Sequence, residues 1–92
     1  MSKVELHQEI CRKMTEMYEA KNADYGDSFA KLRKEYPVAI CIRLQDKLNR
    51  LKTLIVGNQI QVQDESIEDT LLDIANYAIM ELVERKSDGR EN

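Results

Sequence analysis

The chain is poor in residues that interrupt helices, with one proline and three glycines among 92 residues. Alternation of β-branched and polar residues is nearly absent, and the short QIQVQ around Gln61 is too isolated to build a sheet. One histidine, His7, and two cysteines without paired spacing, Cys11 and Cys41, do not suggest a zinc site. No apolar run approaches the roughly 18 residues of a membrane span. The opening MSKVELHQEI has no apolar segment of the signal-peptide kind, so a cytoplasmic protein with reduced thiols is expected. Basic residues form no patch and the net charge is -3, which argues against a nucleic-acid partner. Internal repeats and low-complexity segments are missing too.

What is present is helical periodicity. Ile10, Met14, Met17 and Tyr18 recur at helical spacing and predict a first helix from about Lys3 to Lys21. NADYGDSF should break it, with Gly26 suited to a left-handed turn and Asp27 or Ser28 capping a short helix to about Glu35. Pro37 suits the first turn of a third helix reaching Val56, with Gly57-Asn58 as a left-handed cap. QDESIED opens a last helix to about Glu84. The expectation is one domain over 1–92, all-α, a small antiparallel bundle of about four helices. Its core spans about 3–86, and 87–92 are a polar tail. A chain this short buries only a thin core, so completion by oligomerisation is expected.

The third helix carries an apolar stripe, Ile40, Leu44, Leu48, Leu51 and Ile55. A charged stripe, Arg43, Asp46, Lys47 and Arg50, is centred about 110° away and flanks the core. A solvated face with local pairs such as Asp46–Arg50 is the plain reading of it. The last helix is apolar on several sides. Ile67, Leu71, Ile74, Ala75, Ala78 and Leu82 make its main face, yet Asp69, Asp73, Asn76 and Met80 share another. A helix apolar all round is normally covered all round, so the Asp face should pack against a helix of this chain or of a partner. Buried aspartates one turn apart need a cation. The basic stripe of the third helix could supply it, and so could a hard metal such as Mg²⁺. Structural readings compete: Ser66-x-x-Asp69 as a capping box, Asp73 as a salt-bridge partner of Arg43 or Arg50, and Asn76 as an interhelical hydrogen-bonder.

DYGDSF (24–29), IRLQDKLNRLKTL (42–54) and DESIEDTLLDIANYAIM (64–80) together resemble the nucleotide-modification-associated domain family 1. That family is common in phages and their hosts and is grouped with the MazG-like all-α nucleoside triphosphate pyrophosphatases. The resemblance covers about Lys21 to Leu82. It implies a MazG-like bundle, a homodimer or homotetramer, and Mg²⁺-dependent hydrolysis of a nucleotide to monophosphate and pyrophosphate. Of the two acidic pairs of MazG-like chains, the second maps to the Asp69/Thr70 position with Asp73. In the first, Asp46 matches one acid and Arg43 replaces the other. The resemblance thus assigns Asp46 and Asp73 to catalysis and Asp46, Asp69 and Asp73 to the metal. Lys21, Asn22, Tyr25, Arg43, Lys47, Arg50 and Asn76 would contact the nucleotide, with Arg43, Lys47 and Arg50 reaching phosphate oxygens. Arg43 at an acid's position favours an alternative, an inactive nucleotide-binding domain. A purely structural oligomerisation module, its charges forming interhelical ion pairs, is a third.

Overall fold

The computed structural model describes residues 1–25, 27–57 and 63–87, with the side chains of 23–25 and 63–65 outside that description. Four helices follow one another: α1 (Lys3–Tyr25), α2 (Ser28–Glu35), α3 (Ala39–Val56) and α4 (Gln63–Ser87). No strand occurs among the described residues, and the chain is a small all-α bundle. No helix among them is long and apolar enough to cross a membrane. The first four residues of QIQVQ (59–62), the Gly26 turn, Asn58 and the tail beyond Ser87 lie outside the described residues.

Local chemistry explains most helix ends. Ser2 and Glu5 open α1 as a reciprocal capping box. The Glu5 N–H donates to Ser2 Oγ at 3.1 Å and the Ser2 N–H to Glu5 Oε1 at 2.8 Å. Hydrogen bonding from Ser2, its backbone N–H first, holds the Glu5 carboxyl below its ordinary value. α1 runs four residues past the expected end at Lys21, because a single Asn or Asp costs a helix little when Ala23 and Tyr25 continue it. The break is at Asp27, whose φ of 64° and ψ of 34° are left-handed and cannot propagate a right-handed helix. Its side chain makes no cap hydrogen bond. Tyr36 ends α2 in extended backbone, as a residue before proline must. Pro37 and Val38 then form a tight turn closed by Ala39 N–H to Tyr36 O at 2.9 Å, and α3 starts only at Ala39.

Gly57 does not take the expected left-handed cap: its φ is -70° and ψ 159°. Its N–H reaches Thr53 O at 2.8 Å, and a Cβ there would stand 2.8 Å from that same oxygen. Glycine is needed for the close approach and not for its handedness. α4 begins at Gln63, so Ser66 lies inside the helix and does not cap it. Its far end passes Glu84 to Ser87, where Arg85 and Lys86 suit the negative helix end and Ser87 Oγ donates to the Val83 and Glu84 carbonyls.

α3 and α4 form the main packed pair, and α1 and α2 rest on it more lightly. The face α4 turns inward differs from the one its hydrophobicity suggests. Thr70 is 2% exposed and Glu81 9%, with Asp73, Ile74, Tyr77 and Met80 half-buried around them. Leu71 and Leu82, central to the expected apolar face, are 49% and 52% exposed. The two faces are centred about 100° apart on the helix. Among described hydrophobic residues only Met14 and Ala39 are fully buried. The radius of gyration, 15.0 Å, exceeds the roughly 12 Å of a compact domain of this length.

Candidate functional site

All four helices contribute to one cleft of about 500 Å³, within the usual range for small-molecule sites. The C-terminal turns of α1 supply Tyr18, Lys21 and Asn22, and the start of α2 supplies Ser28, Phe29 and Leu32. α3 adds Arg43 and Lys47, and α4 adds Asp73, Asn76, Tyr77 and Met80. The spacing on each helix follows the 3.6-residue turn, so Asp73, Asn76, Tyr77 and Met80 point to one side.

Lys47 Nζ lies 3.1 Å from Asp73 Oδ2, with the side chains 26% and 31% exposed. Asp73 therefore meets the basic stripe of α3, through Lys47 and not through the expected Arg43 or Arg50. Lys21 and Arg43 stand in the same cleft. Among the described residues lining the cleft, three cations thus accompany one carboxylate. On the apolar side, Phe29 and Tyr77 pack with ring centroids 5.9 Å apart at a tilt of 53°. Tyr18 is pushed above its ordinary 10.0 first by burial and then by the charges of Asp27 and Glu84. Its phenol stays protonated, a hydrogen-bond donor, across the neutral range.

Of the residues singled out from sequence, Lys21, Asn22, Arg43, Lys47, Asp73 and Asn76 come together here. Asp46, Arg50 and Asp69 do not line the cleft and are exposed. The side chain of Tyr25 lies outside the description. Helix phase accounts for the outliers. Asp46 is rotated about 100° from Lys47, out of the wall that Lys47 builds. At the start of α4 it is Thr70, not Asp69, that turns inward, donating from Oγ1 to Ser66 O at 2.7 Å. The inward position three before Asp73 is thus uncharged.

The three carboxylates expected to share Mg²⁺ are therefore not gathered within one chain. No group of three or more His, Cys, Asp or Glu among the described residues could hold a metal ion. Asp73, the one carboxylate among the described residues lining the cleft, already has an ammonium partner. This donor set does not fit a dedicated divalent-metal site.

The sequence places Tyr18 in an apolar stripe, Ser28 at a helix cap and Met80 on the Asp73 face, and it gives no ligand-contacting role to these or to Phe29, Leu32 or Tyr77. Phe29 closes the DYGDSF block and Tyr77 follows Asn76, so adjacency to named residues was the available signal. A second, apolar cleft of about 290 Å³ lies between α1 and α4 and shares Tyr18, Asn76 and Met80 with the first.

No curated protein and no solved structure gives a significant match to this chain. A family model does, over residues 21–84, which takes in α2, α3, most of α4, the last turn of α1 and every cleft residue named above except Tyr18. The chain belongs to the family described as nucleotide modification associated domain 1.

Proposed function

We propose that the domain binds a nucleotide in the four-helix cleft, phosphates toward Lys21, Arg43 and Lys47 and base toward Phe29 and Tyr77. One observation carries this reading: three cations and an aromatic pair line a single cleft of nucleotide size. The order along α4 supports it. Asp73, on Lys47, comes first, and Tyr77 and Met80 follow over about 10 Å of helix. That separation suits phosphates at one end and a base at the other. Arginine and lysine are the usual phosphate partners, and an aromatic face stacks any base. Asn22, Asn76 and the Tyr18 phenol offer donors and acceptors to sugar or base edges. The family's own description, nucleotide modification associated, points the same way.

Hydrolysis of a nucleoside triphosphate to monophosphate and pyrophosphate, as in the MazG-like enzymes, is the second reading. Asp73 favours it, as a carboxylate beside the proposed phosphate site. Against it stand the outward Asp46 and Asp69, which leave one chain short of acidic ligands. The geometry supports binding over turnover.

The proposed assembly is a homodimer or homotetramer. Leu48, Ile55, Leu71 and Leu82 are each about half exposed or more, on a bundle with little buried core. A second copy would cover them.

Thermal shift and calorimetry with deoxynucleoside triphosphates test the reading, and pyrophosphate release separates binder from hydrolase. Lys21→Gln and Arg43→Gln should each weaken binding about tenfold or more, the worth of a hydrogen bond to a charged group. Unchanged affinity in both variants would remove the cleft from consideration.

A further inference from the structure

A carboxylate beside a phosphate site poses an electrostatic problem, because the two anions repel. Metal-dependent sites solve it with Mg²⁺ bridging carboxylate and phosphate oxygens. Here the bridging place on Asp73 is taken by a side chain. Lys47 Nζ sits 3.1 Å from Asp73 Oδ2, and both groups remain partly open to the cleft. An ammonium has three N–H donors, so one can serve Asp73 while others face an incoming anion. No salt bridge of Lys21 or Arg43 occurs among the described residues, and both line the cleft. Asp46 and Asp69, the acids that could have joined Asp73 around a metal, lie exposed and outside the cleft.

We infer that this cleft binds the phosphates of its nucleotide without a divalent cation, Lys47 on Asp73 standing where the metal ion would sit. This deepens the nucleotide-binding reading and rests on it. The charge pattern sets the sign of the magnesium effect. A triphosphate complexed by Mg²⁺ carries less negative charge than the free anion. A cleft whose described lining holds three cations to one carboxylate prefers the free anion. Added Mg²⁺ then leaves binding unchanged or weakens it, whereas a metal-dependent site is strengthened.

The experiment is calorimetric titration of the full chain with each of the four deoxynucleoside triphosphates, in EDTA and again in excess Mg²⁺. The expected result is affinity in EDTA equal to or higher than that in Mg²⁺. Affinity about tenfold or more higher with Mg²⁺ overturns the inference while leaving nucleotide binding intact. No binding in either buffer overturns the nucleotide-binding reading and this inference with it, so the two failures are told apart. Lys47→Met supplies the second arm. Without its ammonium, Asp73 faces the phosphates uncompensated. Binding in EDTA should fall about tenfold or more, and Mg²⁺ should now restore part of it. The pair is partly exposed, so the variant is expected to fold. A Lys47→Met chain that binds in EDTA as wild type does overturns the role given to Lys47.

Discussion

Arg33 on α2 and Glu81 on α4 meet as a two-bond ion pair. Nε donates to Oε1 and Nη2 to Oε2, each at 3.0 Å, with side-chain exposures of 6% and 11%. Arg85 Nε adds a third bond to Glu81 Oε2 at 2.8 Å. The pair pins α2 to α4, and Phe29 on α2 thereby lies against Tyr77 on α4 as one wall of the cleft.

Breaking this pair from one side leaves a buried charge without its partner. Glu81→Gln should cost about 3–5 kcal/mol, a fall in Tm of many degrees for a domain of this size. Replacing both, Arg33→Met with Glu81→Met, should recover much of the loss, since no buried charge is stranded and the Arg85 left behind is half exposed. A Glu81→Gln melting curve superimposed on wild type would show that the pair does not hold α2 in place.

The same carboxylate sets an acid limit. Hydrogen bonding from Arg33, helped by Arg85 and opposed by burial, holds Glu81 below its ordinary 4.5. A group depressed on folding adds stability above its unfolded value and loses it as pH falls through its folded value. Wild-type Tm should therefore drop as pH is taken below 4.5. The gap between wild type and Glu81→Gln should narrow over the same interval. A gap that stays constant with pH would contradict this.

Leu71 and Leu82 offer a test of assembly. In a monomer they are half exposed, and Glu at either position should change stability by no more than about 0.5 kcal/mol. In an oligomer that covers them, a buried Glu is costly and should drive the chains apart. The expected light-scattering result at micromolar concentration is wild type at two chains or more, and Leu71→Glu/Leu82→Glu shifted toward one. A clean monomer mass for wild type would end the homo-oligomer proposal.

The helices of this bundle were legible because their signals are local. Apolar spacing marks α3, and Asp27 and Pro37 lie at the breaks around α2. The meeting of Asp73 with the basic stripe of α3 was legible as well, since helix phase sets both groups beside faces that must pack. The inward face of α4 was not. Hydrophobicity favours Ile67, Leu71, Ala78 and Leu82, but α2 decides the matter through Arg33 and Phe29. Arg33 lies 48 positions from Glu81, and no local period encodes such a contact. The acidic cluster failed for a related reason. Family spacing aligns Asp46 and Asp69 with metal ligands, yet each sits at a helix phase that turns it out of the cleft.

Asp73 distinguishes metal ligand from phosphate neighbour most sharply. In a carboxylate–metal site Asp73→Asn removes a ligand, and nucleotide binding in Mg²⁺ should collapse. In the arrangement seen here the carboxylate only neutralises Lys47. The pair is partly exposed, so its loss should cost about 1 kcal/mol or less of stability. Asparagine frees the Lys47 ammonium and removes the negative charge nearest the phosphates. Binding in EDTA should then tighten, by up to about tenfold. Asp46→Asn and Asp69→Asn, exposed and outside the cleft, should leave affinity near wild type. Titrating the three variants in EDTA and in Mg²⁺ reads all of this at once. Tighter binding by Asp73→Asn with the other two unchanged is the expected pattern. Loss of binding in all three would restore the acidic metal cluster.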